Sequence, residues 1–140
     1  MPNMFTNPSQ DDIRALLGRV RRIAVVGLSP KPDRPSHYVS KAMQAWGYEI
    51  LPVRPGLREV LGVPAYARLE DVPGKVELVN VFRNASEVDA VVDSAIAIGA
   101  PAIWVQQGII NDAAAERARG AGLFTVMDRC IMVEYRRLLA

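Results

Sequence analysis

The residues of this chain best suited to chemistry lie in short stretches that follow apolar runs. The first reads Gly27-Leu28-Ser29-Pro30-Lys31-Pro32-Asp33-Arg34-Pro35-Ser36. A glycine closing an apolar run lets the backbone turn sharply beside a phosphate, and a helix beyond it presents free N–H groups. Ser29 offers a hydroxyl, and Lys31 and Arg34 add two cations. The stretch is not the G-x-G-x-x-G dinucleotide fingerprint, because Ser29 stands at the second glycine. It is not a Walker A loop either, since no G-K-[S/T] occurs. Phosphate binding is one reading. The other is a surface loop stiffened by Pro30, Pro32 and Pro35, with its cations solvated. From Arg14 to Arg34 there are six basic residues and one acid, Asp33, an excess hidden inside a net charge of +2.

The second stretch, Pro52-Val53-Arg54-Pro55, bears on which ligand fits. NAD-binding sheets place an acid at this point to hold the ribose hydroxyls. Here Arg54 is a cation, which suits an extra phosphate on the adenosine ribose. That favours NADP or coenzyme A over NAD, unless Arg54 is plain surface charge. After the third run comes Phe82-Arg83, an aromatic ring able to stack and a guanidinium able to reach a phosphate. After the fourth come Gln106-Gln107-Gly108, two amides and a glycine beside a core candidate, Trp104. Cys130 follows Met127-Asp128-Arg129, where Arg129 can favour its thiolate. The competing reading of Cys130 is a small buried apolar residue. Ser29, Asp33 and His37 are neighbours on one proline-rich loop, which is poor geometry for a triad, so no catalytic set emerges.

These stretches need a scaffold that brings strand ends together. Ser9 and two acids precede Ile13, Leu16, Leu17 and Val20 at helical spacing. Arg22–Gly27 reads as a strand buried on both faces. Val39, Ala42, Met43 and Trp46 share a helix face, closed by Gly47. Tyr48–Val53 is a second strand, stopped by Pro52 and Pro55. Residues 58–72 read as a loop with a helical turn near Leu69-Glu70-Asp71. Val76–Val81 is a third strand, and Ser86-Glu87-Val88-Asp89 resembles a capping box opening a helix to Gly99. Ala102–Val105 is a fourth strand, Asn111 caps a helix to Ala121, Leu123–Met127 is a fifth strand, and Ile131–Leu139 a last helix. Strict alternation predicts one α/β domain over 1–140, with residues 1–10 as an N-terminal extension. Its fold is Rossmann-like and doubly wound: a mainly parallel five-stranded sheet with helices on both faces. Ligands of such sheets bind beyond the carboxyl ends of the strands.

Composition narrows the alternatives. The chain has 140 residues, enough for one core and too few for two. Seventeen basic against fifteen acidic residues give no case for coating a nucleic acid. One cysteine and one histidine remove internal disulfides and the usual multi-Cys or multi-His metal sites. The longest apolar stretch, Ala95–Val105, is too short for a membrane span, and Met1–Pro8 lacks a basic and an apolar leader region. The expected address is the cytoplasm. The apolar residues of the last helix leave room for a protein partner or a homo-oligomer.

Five segments together carry a resemblance: Val26–Ser36, Pro52–Pro55, Val81–Arg83, Val105–Gly108 and Met127–Cys130. The chain resembles the small stand-alone CoA-binding proteins of bacteria, which are similar in fold to the N-terminal CoA-binding domain of the succinyl-CoA synthetase α subunit. The resemblance spans residues 11–138. It implies coenzyme A as cofactor, with pyrophosphate near Gly27 and Ser29 and adenosine near the end of the second strand. It points to Gly27, Ser29, Lys31, Arg34 and Ser36, to Val53 and Arg54, to Phe82 and Arg83, and to Gln107 and Gly108. Arg54 stands where the family usually has Asn, and Ile131-Met132 where it tends to have Pro-Lys. The synthetase's phosphohistidine and nucleotide-grasping parts have no room here, so the resemblance implies binding without self-contained catalysis. Two other readings of the same residues are an NADP(H)-binding redox sensor or oxidoreductase, and a CoA thiol-exchange protein using Cys130.

Overall fold

The computed structural model describes residues 4–139; the first three residues of the expected extension, and Ala140, lie outside them. The element order is α1 (Gln10–Arg19), β1 (Arg22–Val26), α2 (Pro35–Ala45), β2 (Glu49–Val53), β3 (Glu59–Val60), β4 (Val63–Pro64), β5 (Leu78–Val81), α3 (Val88–Ala97), β6 (Ala102–Val105), α4 (Asp112–Gly120), β7 (Phe124–Met127) and α5 (Ile131–Leu138). Five strands form a parallel sheet in the order β2-β1-β5-β6-β7. The chain runs outward from β1 to β2, then crosses back to β5, so the strand order reverses between β1 and β5. The fold is Rossmann-like, as the alternation predicts.

Two cores follow from the pleat. Ile23, Val25, Leu78, Trp104 and Val126 face α1, α2 and α5, meeting Ile13, Leu16, Leu17, Val39, Met43 and Ile131. Ala24, Val79, Val81, Ile103 and Val105 face α3 and α4, meeting Val88, Val92, Ala95, Ala114, Ala115 and Ala118. The alanines of α4 let that helix lie close to the sheet. Trp104 is fully buried, as expected, and its indole N–H donates to the Arg129 carbonyl at 2.8 Å.

The caps hold where the sequence is explicit. Ser9 Oγ accepts the Asp12 N–H at 3.2 Å, and Asn111 Oδ1 accepts that of Ala114 at 3.0 Å. Other local expectations need correction. The Ser86–Asp89 capping box does not form: a 3-10 turn over Ala85–Glu87 enters α3, and the Glu87 N–H is satisfied by the Asn84 carbonyl at 2.8 Å. The third strand begins at Leu78, two residues late, because the Glu77 carboxylate turns back to accept the N–H groups of Arg21 and Arg22. Pro52 does not stop β2 but lies within it. That strand is at the sheet edge, where the missing N–H faces outward. Residues 58–72 are more than a loop. They hold the β3–β4 hairpin, turning through Leu61 at φ +55° and Gly62 at +74°, before the expected helical turn at Leu69–Asp71. Ahead of α1, the Asn7 side-chain amide exchanges two hydrogen bonds of 2.8 Å with the Met127 main chain, and the Phe5 N–H donates to Asp112 Oδ1 at 2.9 Å.

Candidate functional site

The reversal of strand order leaves a crevice above β1 and β5, and the backbone around Gly27 shapes it. Gly27 has φ +91°, and a Cβ there would stand 2.3 Å from the Phe82 carbonyl oxygen, so no larger residue fits. Its N–H donates to the Val53 carbonyl and the Phe82 N–H donates to the Val26 carbonyl, each at 2.9 Å. The ends of β2, β1 and β5 are thereby tied at one point.

Beyond Gly27 the loop is braced from within. Ser29 and Ser36 are buried. The Ser29 N–H donates to Ser36 Oγ at 2.9 Å, Ser29 Oγ accepts the Lys31 N–H at 3.1 Å, and His37 Nδ1 lies 2.9 Å from the Ser29 carbonyl oxygen. Both hydroxyls are used here as acceptors, so their protons remain to donate. The loop enters α2 through Arg34 and Pro35, with no side-chain cap and no acid in the first turn. Proline suits that first position because its absent N–H would have no helical partner.

The result is a cleft of about 660 Å³ lined by Gly27, Ser29, Lys31 and Arg34 to Ser36 of this loop, with Arg54, Phe82 to Ala85, Glu87, Gly108 and Ile109. Lys31, Arg34 and Arg54 have no carboxylate partner among the described residues. Glu87 is the one carboxylate of the lining, and it is paired with Arg83. Three cations without a carboxylate partner among the described residues, gathered beside a glycine turn at φ +91°, leave this cleft with an excess of positive charge.

Gly27, Arg83 and Glu87 also border a second cleft of about 410 Å³, floored by Val26 and Val53 and walled by Leu69, Ala90 and Val91. Glu70 lies on its rim. Its own backbone N–H and the Ser94 hydroxyl, 3.0 Å away, hold its carboxyl below the usual carboxylate range. A charged cleft and a more apolar one thus meet at the Arg83–Glu87 pair. Among the described residues no cluster of three or more His, Cys, Asp or Glu side chains is placed to hold a metal ion, and no helix is long and apolar enough to cross a membrane.

Comparison with known proteins decides the family. Residues 21–136 match the family described as a CoA binding domain. This chain belongs to that family. An uncharacterized protein of Bacillus subtilis, YneT, is 46% identical over 129 residues, spanning 92% of this chain and 96% of its own. A solved structure of a hypothetical protein from Pyrococcus horikoshii superposes with a TM-score of 0.93 at 38% identity, covering 100% of this chain and 99% of that one. A dinucleotide-forming acetyl-coenzyme A synthetase of Ca. Korarchaeum cryptofilum shares the fold alone: TM-score 0.72 at 22% identity, over 86% of this chain and 28% of that one.

Within this CoA-binding-domain fold, most residues singled out in the sequence converge. Gly27, Ser29, Lys31, Arg34, Ser36, Arg54, Phe82, Arg83 and Gly108 all line the larger cleft. Val53 lines the second. Gln107 lines neither and is exposed. Its neighbour Gln106 is buried, donating to Asn80 Oδ1 at 2.6 Å and accepting the Ile131 N–H at 3.4 Å, so its amide joins strands and α5. Cys130 lines neither cleft; it is half-buried at the start of α5. Pro35, Asn84, Ala85, Glu87 and Ile109 also line the larger cleft and were missed. Glu87 had a signal, standing four residues after Arg83 where one helical turn pairs them. Asn84 had one too, an amide directly after Phe82-Arg83, whereas Pro35, Ala85 and Ile109 have side chains that advertise no chemistry.

Proposed function

We propose that this chain binds coenzyme A or an acyl-CoA in the cleft above β1 and β5 and has no bond-making step of its own. The observation that carries the reading is the trio Lys31, Arg34 and Arg54, unpartnered among the described residues and gathered on one cleft with the Gly27 turn. Coenzyme A carries a diphosphate and a separate ribose phosphate, and cations on two different loops suit that division. In this reading Gly27, Ser29, Lys31, Arg34 and Ser36 hold the diphosphate, and Val53 and Arg54 the adenosine end with its ribose phosphate. Phe82, Arg83 and Gly108 flank the remainder. The family match supports the choice of ligand. NADP(H) is the competing ligand, because Arg54 at the end of β2 suits a ribose phosphate of either molecule.

Calorimetric titration with CoA, acetyl-CoA and NADPH tests the reading. Saturable CoA binding is expected, about tenfold weaker in Arg34→Ala, the scale of one charge-assisted hydrogen bond. Arg34 makes no side-chain cap to α2, so that variant keeps its fold. A flat trace at millimolar CoA overturns the reading, and a preference for NADPH replaces it with the competing one.

A further inference from the structure

The segment Met127-Asp128-Arg129-Cys130 lines neither cleft, yet it is tied to its neighbours along its length. The Met127 main chain is held by Asn7, and its Sδ accepts the Asn111 N–H at 3.3 Å. The Arg129 carbonyl accepts the Trp104 indole N–H. Asp128 stands apart in its backbone. It holds φ +59°, a left-handed conformation that costs a residue with a Cβ about 1–2 kcal/mol. From there Oδ1 accepts the Gly108 N–H at 2.8 Å.

Gly108 and Ile109 line the larger cleft, while Asp128 does not. The same loop is held from its other side, where Asn111 Nδ2 donates to the carbonyl of Ala85, also a lining residue, at 2.9 Å. This wall of the cleft is thus largely backbone, shaped by side chains that stand behind it.

The cleft is also graded in charge. Lys31, Arg34 and Arg54 follow β1 and β2, whereas Gly108 and Ile109 follow β6 and carry no charge. β2 and β6 are three strand spacings apart, about 14 Å. A ligand whose phosphates sit at the β1–β2 end therefore runs its uncharged remainder along the sheet edge toward the Gly108 wall.

Building on the CoA reading, we propose that Asp128 is a positioning residue. By holding the Gly108 amide it fixes the wall against which the ligand's uncharged, amide-bearing arm lies, and it takes no part in holding the phosphates. A residue that only stabilised the fold would affect both ends of the ligand alike.

The test compares wild type, Asp128→Gly and Asp128→Asn against two probes: CoA, and adenosine 3′,5′-bisphosphate, which keeps a phosphorylated nucleoside and lacks the arm. Glycine accepts φ +59° without strain, so Asp128→Gly removes the carboxylate while sparing the fold. Asparagine keeps an acceptor oxygen and tolerates the same backbone. Asp128→Gly should weaken CoA about tenfold and leave the bisphosphate within about twofold, while Asp128→Asn stays within about threefold for both. Hydrogen exchange at the Gly108 amide should accelerate in the glycine variant and stay slow in the asparagine one. Equal losses for both probes, or unchanged CoA affinity in Asp128→Gly, overturn the proposal. A wild type silent toward CoA overturns it together with the CoA reading. A wild type that binds CoA beside an unaffected Asp128→Gly overturns this inference alone.

Discussion

Gly27→Ala, set beside Gly122→Ala, separates two costs that a glycine can conceal. Gly27 and Gly122 have nearly the same backbone, φ +91° and +95°. A Cβ at Gly122 meets nothing within 4 Å, whereas one at Gly27 stands 2.3 Å from the Phe82 carbonyl oxygen and 3.0 Å from Arg83 Cδ. Both alanines lose about 1–2 kcal/mol for a side chain at positive φ. Only Gly27→Ala adds the overlap. A flexible side chain would swing aside, but the Phe82 oxygen belongs to a backbone tied to Val26, and Gly27 itself is tied to Val53. Relief must shift a strand end, which adds roughly 1–3 kcal/mol, the usual range for overpacking. Gly122→Ala should therefore cost about 1–2 kcal/mol and Gly27→Ala about 2–5 kcal/mol, a gap of roughly 1–3 kcal/mol between them. Urea unfolding followed by circular dichroism measures both, read as a lower midpoint at unchanged slope. Should the two variants agree within about 0.5 kcal/mol, the close approach is not tight and the reasoning fails.

Two further outcomes are expected. Burial, with Tyr135 nearby, pushes the Tyr48 phenol from 10.0 up to about 12, and its hydroxyl donates to the Leu17 carbonyl. The folded state thus favours the neutral phenol: this stabilisation is whole below pH 10 and fades as pH climbs through about 12. It is worth roughly 2–3 kcal/mol at its limit, so stability should fall less steeply over that alkaline range in Tyr48→Phe, and parallel curves would refute the assignment. Arg54→Ala should narrow the preference for CoA over dephospho-CoA about tenfold, with a shallower salt dependence, both read by calorimetry. An unchanged ratio would remove Arg54 from the ribose phosphate.

The sequence announced the main sheet because each strand is an apolar run between helical periods, and burial on both faces leaves no other use for such runs. It announced the loops because strand ends carry the glycine and the cations. The hairpin at residues 59–64 stayed hidden because its turn is Leu61-Gly62, and leucine at φ +55° is not a turn signal. Gln106 and Gln107 are the same residue type, and only the continuing alternation of β6 sends one amide into the core and leaves the other in solvent. Ala85 and Ile109 shape the cleft through loop geometry, which no side-chain pattern encodes.

The outer strands of the sheet have a further property at their carboxyl ends. On β2, the backbone of Tyr66 already takes the outward groups of Pro52 and Arg54, at 2.9 and 2.8 Å. On β7, the Asn7 amide imitates a neighbouring strand at Met127. Backbone left open at such margins templates pairing with other chains. Here both margins are closed beside the cleft, one by main chain and one by a single asparagine. Copies of this protein that meet at the ligand end must do so through helices and loops rather than by extending the sheet. An expressed chain started at residue 8 would lose Asn7 and bare that margin alone; with the β2 margin still closed by Tyr66, pairing of bared edges would join two copies and stop there.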